Sequence, residues 1–181
     1  MNKRIRWITE TAVMLALLVS LQALTKPMGQ LITGSCVNCI LAVAALFGGS
    51  ACGLTVALVS PALAFFLGIA PQILTVPAIM VGNCIYVILL GLLMGRGEEK
   101  ILNSVISLGI AAAAKFAALY LIVAKLICGV FAPTLLAAGT LKEPMLKALP
   151  ATFSWPQLIT ALIGGLIALL IVPVLRKALH R

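Results

Sequence analysis

Aspartate is absent from this chain of 181 residues, and glutamate occurs only at Glu10, Glu98, Glu99 and Glu143. All four glutamates fall near the ends of apolar segments or in loops, so no carboxylate lies within a membrane-length run. A transporter coupled to protons or sodium usually keeps one there, and that form of coupling is disfavoured. No G-x-x-x-x-G-K-[ST] phosphate loop is present, so the chain has no means of using ATP by itself. The sole histidine, His180, sits in the tail. No Ser–His or Cys–His pair is therefore available for intramembrane hydrolysis. The chain is read as a non-enzyme that needs no cofactor. Cys36 and Cys39 form a C-x-x-C without a second pair at zinc spacing, and all five cysteines lie in apolar segments, where cysteine acts as a small hydrophobe. Neither a metal site nor a secreted disulfide framework is expected.

Charged residues make up 9% and hydrophobic residues 63%. A soluble domain is about half apolar and a quarter charged, so the composition marks an integral membrane protein of one domain, residues 1–181. The net charge of +9 does not point to nucleic acid, because the cations sit at segment ends, where membrane insertion places them. The opening MNKRIRW and the apolar run after it are read as a retained first helix. Glu10 interrupts the start of that run, and no clear small-x-small cleavage site follows, as a signal peptide would require.

A membrane span takes about 20 apolar residues. Six such segments are expected, at Ile8–Leu24, Gly34–Phe47, Ala51–Ile69, Ile73–Met94, Ile101–Phe131 and Gln157–Leu175. The second is short, and Pro61 should kink the third. Thr25–Thr33 reads as a turn-rich loop, Ala70–Gln72 as a tight turn, and Gly95–Lys100 as the most hydrophilic loop. The long connection Pro133–Trp155 has room for a short surface helix near Leu141–Leu149. The fold class is thus an all-α bundle of six transmembrane helices. Six spans put both termini on one side, with the cations Lys3, Arg4, Arg6, Arg96, Lys100, Arg176, Lys177 and Arg181. The opposite loops hold only Lys26, Lys142 and Lys147. The positive-inside rule then makes both termini cytoplasmic in a multi-pass protein of the cell membrane.

Against this apolar background the interior polar residues stand out, since each costs free energy in hydrocarbon unless it is paired or wet. Lys115 is the sharpest. It lies mid-helix between AAAA and FAALYLIVA, with no acid nearby. Burying its ammonium costs about 2.5–3.5 kcal/mol on insertion scales, so it must face a cavity, a carbonyl cluster or a ligand. Gln22, Asn38, Gln72, Asn83, Tyr120, Trp155 and Gln157 lie toward the same outer half and complete the candidate substrate site. Gln72 and Asn83, eleven residues apart in the sequence, are expected on one face of helix 4. Asn83 also suits a bond between helices, and Trp155 an interfacial belt.

The first helix carries a stripe of small residues, Ala12, Ala16, Ser20 and Ala23. Such a stripe admits close approach of another helix. The partner is either a second protein or the matching row Ala161, Gly164, Gly165 and Ala168 of the last helix.

Six helices, termini inside, the compact length and the motif Ala12-Val-Met-Leu-Ala16 resemble the substrate-binding S components of energy-coupling factor (ECF) vitamin transporters. The stretches GSCVNCILAVAALFGG and FSWPQLITALIGG are similar to those of clostridial-type S components. The resemblance implies high-affinity capture of a vitamin-like small molecule from outside, in a pocket under the helix 1–2 loop that draws on helices 4, 5 and 6. It implies docking, through Ala12, Ala16 and the stripe that continues to Ser20, on a transmembrane coupling protein with two cytoplasmic ATPases. Release would follow toppling of the subunit in the bilayer. Lys115 favours a ligand with a carboxylate, phosphate or exposed carbonyl. The rival readings are a self-sufficient secondary transporter or channel and an intramembrane enzyme.

Overall fold

The computed structural model describes residues 2–69, 72–94 and 101–179. The expected loop Gly95–Lys100, part of the turn Ala70–Gln72, and His180 and Arg181 fall outside them. Among the described residues every regular element is helical: α1 (Lys3–Thr25), α2 (Gln30–Leu46), α3 (Ser50–Phe66), α4 (Val76–Met94), α5 (Ile101–Leu119), α6 (Ala132–Ala137), α7 (Glu143–Thr152) and α8 (Trp155–Ala178).

The stretches Lys3–Met28, Ile73–Met94, Ile101–Val130 and Glu143–Ala178 are long and apolar enough to cross a membrane. α2 and α3 have 17 residues each, about 25 Å of helix, a little short of the ~30 Å hydrocarbon core. α2 is the central element. Its second half is apolar on every side, and each residue of the run Leu41–Leu46 is buried. A helix that is hydrophobic all round belongs in an interior. Its most extensive partner is α8, followed by α1, α3 and α4.

Small residues make the α2–α8 contact possible. A Cβ on Gly164 would lie 2.4 Å from the Ser35 carbonyl oxygen and 2.7 Å from the Cys39 nitrogen. Backbone cannot retreat as a side-chain tip can, so only glycine fits there. Arg176 closes the far end of the pair by donating to the Leu46 carbonyl at 2.8 Å, one of the carbonyls that the end of a helix leaves without a partner. The row Ala161, Gly164, Gly165 and Ala168 is buried throughout, and α8 packs on α2 and α5.

α1 begins five residues before the expected start. Asn2 caps it, its side chain accepting from the Arg4 amide at 3.2 Å, as N-cap residues do. Thr11, Met14, Leu18 and Thr25 form its buried ridge, whereas Ala12, Ala16, Ser20 and Ala23 are exposed. The expected loop Thr25–Thr33 is shorter than read. A 3₁₀ turn at Lys26–Met28 leads to Gly29, whose φ of +91° suits glycine, and α2 starts at Gln30. Pro61 lies inside α3.

Helix 5 also differs from its expected form. It is α-helical to Leu119 and continues as a π-helix over Tyr120–Val130. The connection after it holds α6 as well as the surface helix α7, shifted to Glu143–Thr152. α7 and the π-helical segment share a second apolar cluster around Leu119, Val123, Leu141, Leu149 and Phe153. The outward surface carries exposed apolar side chains such as Leu24, Leu92, Leu170 and Val174. Such an exterior suits lipid as the surrounding solvent.

Candidate functional site

α5 presents Lys115 to the middle of the bundle, where it is 2% exposed. Its Nζ donates to Asn38 Oδ1 of α2 at 2.5 Å and to Asn83 Oδ1 of α4 at 2.7 Å. Nζ also lies 5.3 Å from the centre of the Tyr86 ring, within reach of a cation–π contact. Tyr86 is one helical turn beyond Asn83, and its hydroxyl is held by donation to the Ala161 carbonyl at 2.9 Å.

An ammonium can only donate, so each amide turns its oxygen to it and keeps its NH2 for another acceptor. Asn38 uses its Nδ2 on the Gly34 carbonyl at 2.9 Å and on Thr160 Oγ1 at 3.2 Å. Thr160 in turn donates to the Gln157 carbonyl at 3.2 Å. Asn38 is therefore fully engaged and joins α2 to α8. Asn83 differs: its residue is 1% exposed, and its Nδ2 is a buried donor with no hydrogen-bond partner among the described residues.

These groups lie at the floor of a cavity of about 210 Å³. Lys26, Gly29 and Gln30 line its mouth and are exposed; Asn38, Asn83 and Lys115 line its buried end. Gln22 of α1 and Gln157 of α8 line the wall between. The α1–α2 turn thus forms part of the rim, and Lys26 is fixed there by donation to the Gly68 carbonyl at 2.8 Å.

Five of the eight residues expected at the substrate site, Gln22, Asn38, Asn83, Lys115 and Gln157, therefore meet at one cavity. Three do not line it. Trp155 is 66% exposed and stacks on Phe116, with ring centres 5.6 Å apart. Tyr120 also stacks on Phe116, at 6.0 Å, with Lys125 Nζ 5.6 Å from its own ring. Gln72 is not on a helix face with Asn83. It has extended backbone and precedes a 3₁₀ turn, Ile73–Thr75, that breaks the helical periodicity counted back from Asn83. Its side-chain NH2 donates to the Met145 sulfur of α7.

Sequence reasoning missed Thr75, Thr152 and Phe153 on the cavity wall and had Gln30 and Thr33 only as part of the loop over the pocket; all five lie at helix ends, where periodicity gives no bearing. Tyr86 and Thr160 carried a usable signal. Each is three residues beyond a polar residue already singled out, Asn83 or Gln157, and so occupies the same helix face.

Among the described residues no three His, Cys, Asp or Glu side chains are grouped so as to hold a metal ion. The site's chemistry is that of recognition: a buried cation, oriented amides and hydroxyls, in a cavity open at one end. A helical body with an apolar exterior and such a cavity has the form of a membrane protein that holds a small solute. The family model for the ECF transporter, substrate-specific component, matches residues 6–176, and the chain belongs to that family. It is a membrane protein and a substrate-specific transporter subunit. Searches of curated proteins and of solved structures return no match.

Proposed function

We propose that this protein is the high-affinity binding subunit of an ECF-type importer for a vitamin-like solute. The solute enters past the α1–α2 turn and rests on Lys115, Asn83 and Asn38. The carrying observation is Lys115 itself, a buried cation at the end of an open cavity, whose two direct hydrogen-bond partners are neutral oxygens. Neither glutamate among the described residues, Glu10 or Glu143, lines that cavity. A buried charge without an opposite charge is costly, and an anionic or carbonyl group of the solute offsets that cost.

In this reading the chain crosses the membrane six times, with α2 and α3 as short central spans and both termini cytoplasmic, so the cavity opens outward. α1 supplies the docking face for a transmembrane coupling protein that works with two cytoplasmic ATPases. The exposure of Ala12, Ala16 and Ser20 supports this role, as does the burial of the α8 small row against other helices.

The test is to purify the protein with whatever solute it retains, identify that solute by mass spectrometry, and compare Lys115→Ala. Loss of the solute from the variant is the expected result. Equal retention by the variant rules out the site.

A further inference from the structure

Five features of the cavity narrow what it holds, given the solute-binding reading on which they rest. The first is the pair of donors at its floor. Lys115 Nζ has three protons and two amide acceptors, and Asn83 Nδ2 has none. The Asn83 oxygen is pinned to Nζ at 2.7 Å, so its NH2 is held beside the ammonium on the same amide group. Two neighbouring donors, one of them charged, match the two oxygens of a carboxylate.

The second feature is the charge count. Lys115 is the single cation at the floor; Lys26, at the exposed rim, is engaged with the Gly68 carbonyl. One interior positive charge balances a monoanion, whereas a phosphate dianion would remain half uncompensated in a low-dielectric site. The third is the shortage of aromatic surface. Among the described residues Phe153 supplies the cavity's one aromatic side chain, while Tyr120 and Trp155 stack on Phe116 outside it. A planar heterocycle bound between helices normally finds rings to stack on.

The fourth feature is size. About 210 Å³ is below the roughly 300–1,000 Å³ of sites for drug-sized ligands. The last is the wall, where Gln22, Gln30, Thr33 and Gln157 offer uncharged amides and hydroxyls among the aliphatic side chains of Val37, Ile69, Ile79 and Leu119. Such groups suit hydroxyl, amide or ether functions on the remainder of the solute.

We infer that the solute is a small non-aromatic monocarboxylic acid with neutral hydrogen-bonding groups, its carboxylate seated between Lys115 Nζ and Asn83 Nδ2. The acid should bind roughly 10- to 100-fold more tightly than its methyl ester, the range that charge-assisted hydrogen bonds confer.

The experiment uses the full chain purified from membranes. Its bound solute is released by denaturation, then examined by mass spectrometry before and after esterification and by near-ultraviolet absorbance. Uptake of one methyl group and no near-ultraviolet band are expected. Binding of the acid and of its methyl ester to ligand-free protein is then measured for wild type, Lys115→Met and Asn83→Leu. The acid-over-ester preference should collapse in Lys115→Met and shrink in Asn83→Leu. The wild-type comparison decides the matter where a variant does not fold. A phosphate-bearing or heteroaromatic solute, or an ester bound as tightly as the acid, overturns this inference and leaves the solute-binding reading standing. A protein that carries no solute and takes none up from cell extract overturns both.

Discussion

Lys115 was legible in the sequence because a lysine between four alanines and a long apolar run has nowhere to hide its charge. Asn38 and Asn83 were legible for a weaker form of the same reason. What the sequence withheld was which polar residues share a space, because that depends on how each helix is rotated about its axis. Trp155 and Tyr120 were expected with the site residues of the outer half, but in the fold both stack on Phe116 instead, Tyr120 from four residues along the same helix and Trp155 from the start of α8. At this scale Lys115→Ala is expected to weaken solute binding roughly 10- to 100-fold, read by calorimetry on purified protein, with assembly on a coupling protein unaffected. Asn38→Ala should act on stability as well as binding. It removes an acceptor for Lys115 and the α2–α8 link through Thr160, and unpairing such buried groups costs about 1–3 kcal/mol. A lower thermal midpoint in detergent is the readout.

Among the elements, the long apolar segments were placed to within a few residues, because hydrophobic length is written directly in the chain. Their ends were not. The cap at Asn2, the 3₁₀ turns at Lys26–Met28 and Ile73–Thr75, and the π-helix at Tyr120–Val130 change backbone geometry without changing hydropathy. The partner of the small row on α8 was equally hidden: it could have been α1, and it is α2 with α5. This contact makes a direct prediction. Gly164→Val should be destabilising by roughly 1–3 kcal/mol, the usual cost of overpacking, because the new side chain meets the α2 backbone. The measurement is thermal unfolding of purified protein, with Ala12→Val on the exposed face of α1 as a near-neutral comparison. Equal loss from both would mean that α8 does not pack on α2 this closely.

For the whole molecule, the proposed division of labour separates two surfaces, an inward cavity and an outward face of α1. Leucines at Ala12 and Ala16 should abolish transport in cells while leaving solute binding by purified protein unchanged. Co-purification with a coupling protein reports the cause directly, and an undiminished complex would remove α1 from the docking role. Sidedness has its own test. Lys26→Cys, on the exposed rim of the cavity, should react with a membrane-impermeant thiol reagent from outside the cell, and labelling only after the membrane is opened would reverse the orientation. The lone cation at the cavity floor also has an electrical consequence. In the proposed reading an empty subunit carries an unbalanced charge within the bilayer's thickness, and moving one charge across the membrane is worth about 2.3 kcal/mol per 100 mV. In the same reading a bound monoanion cancels it, so the loaded subunit would turn in the bilayer with one charge fewer exposed to the membrane voltage than the empty one.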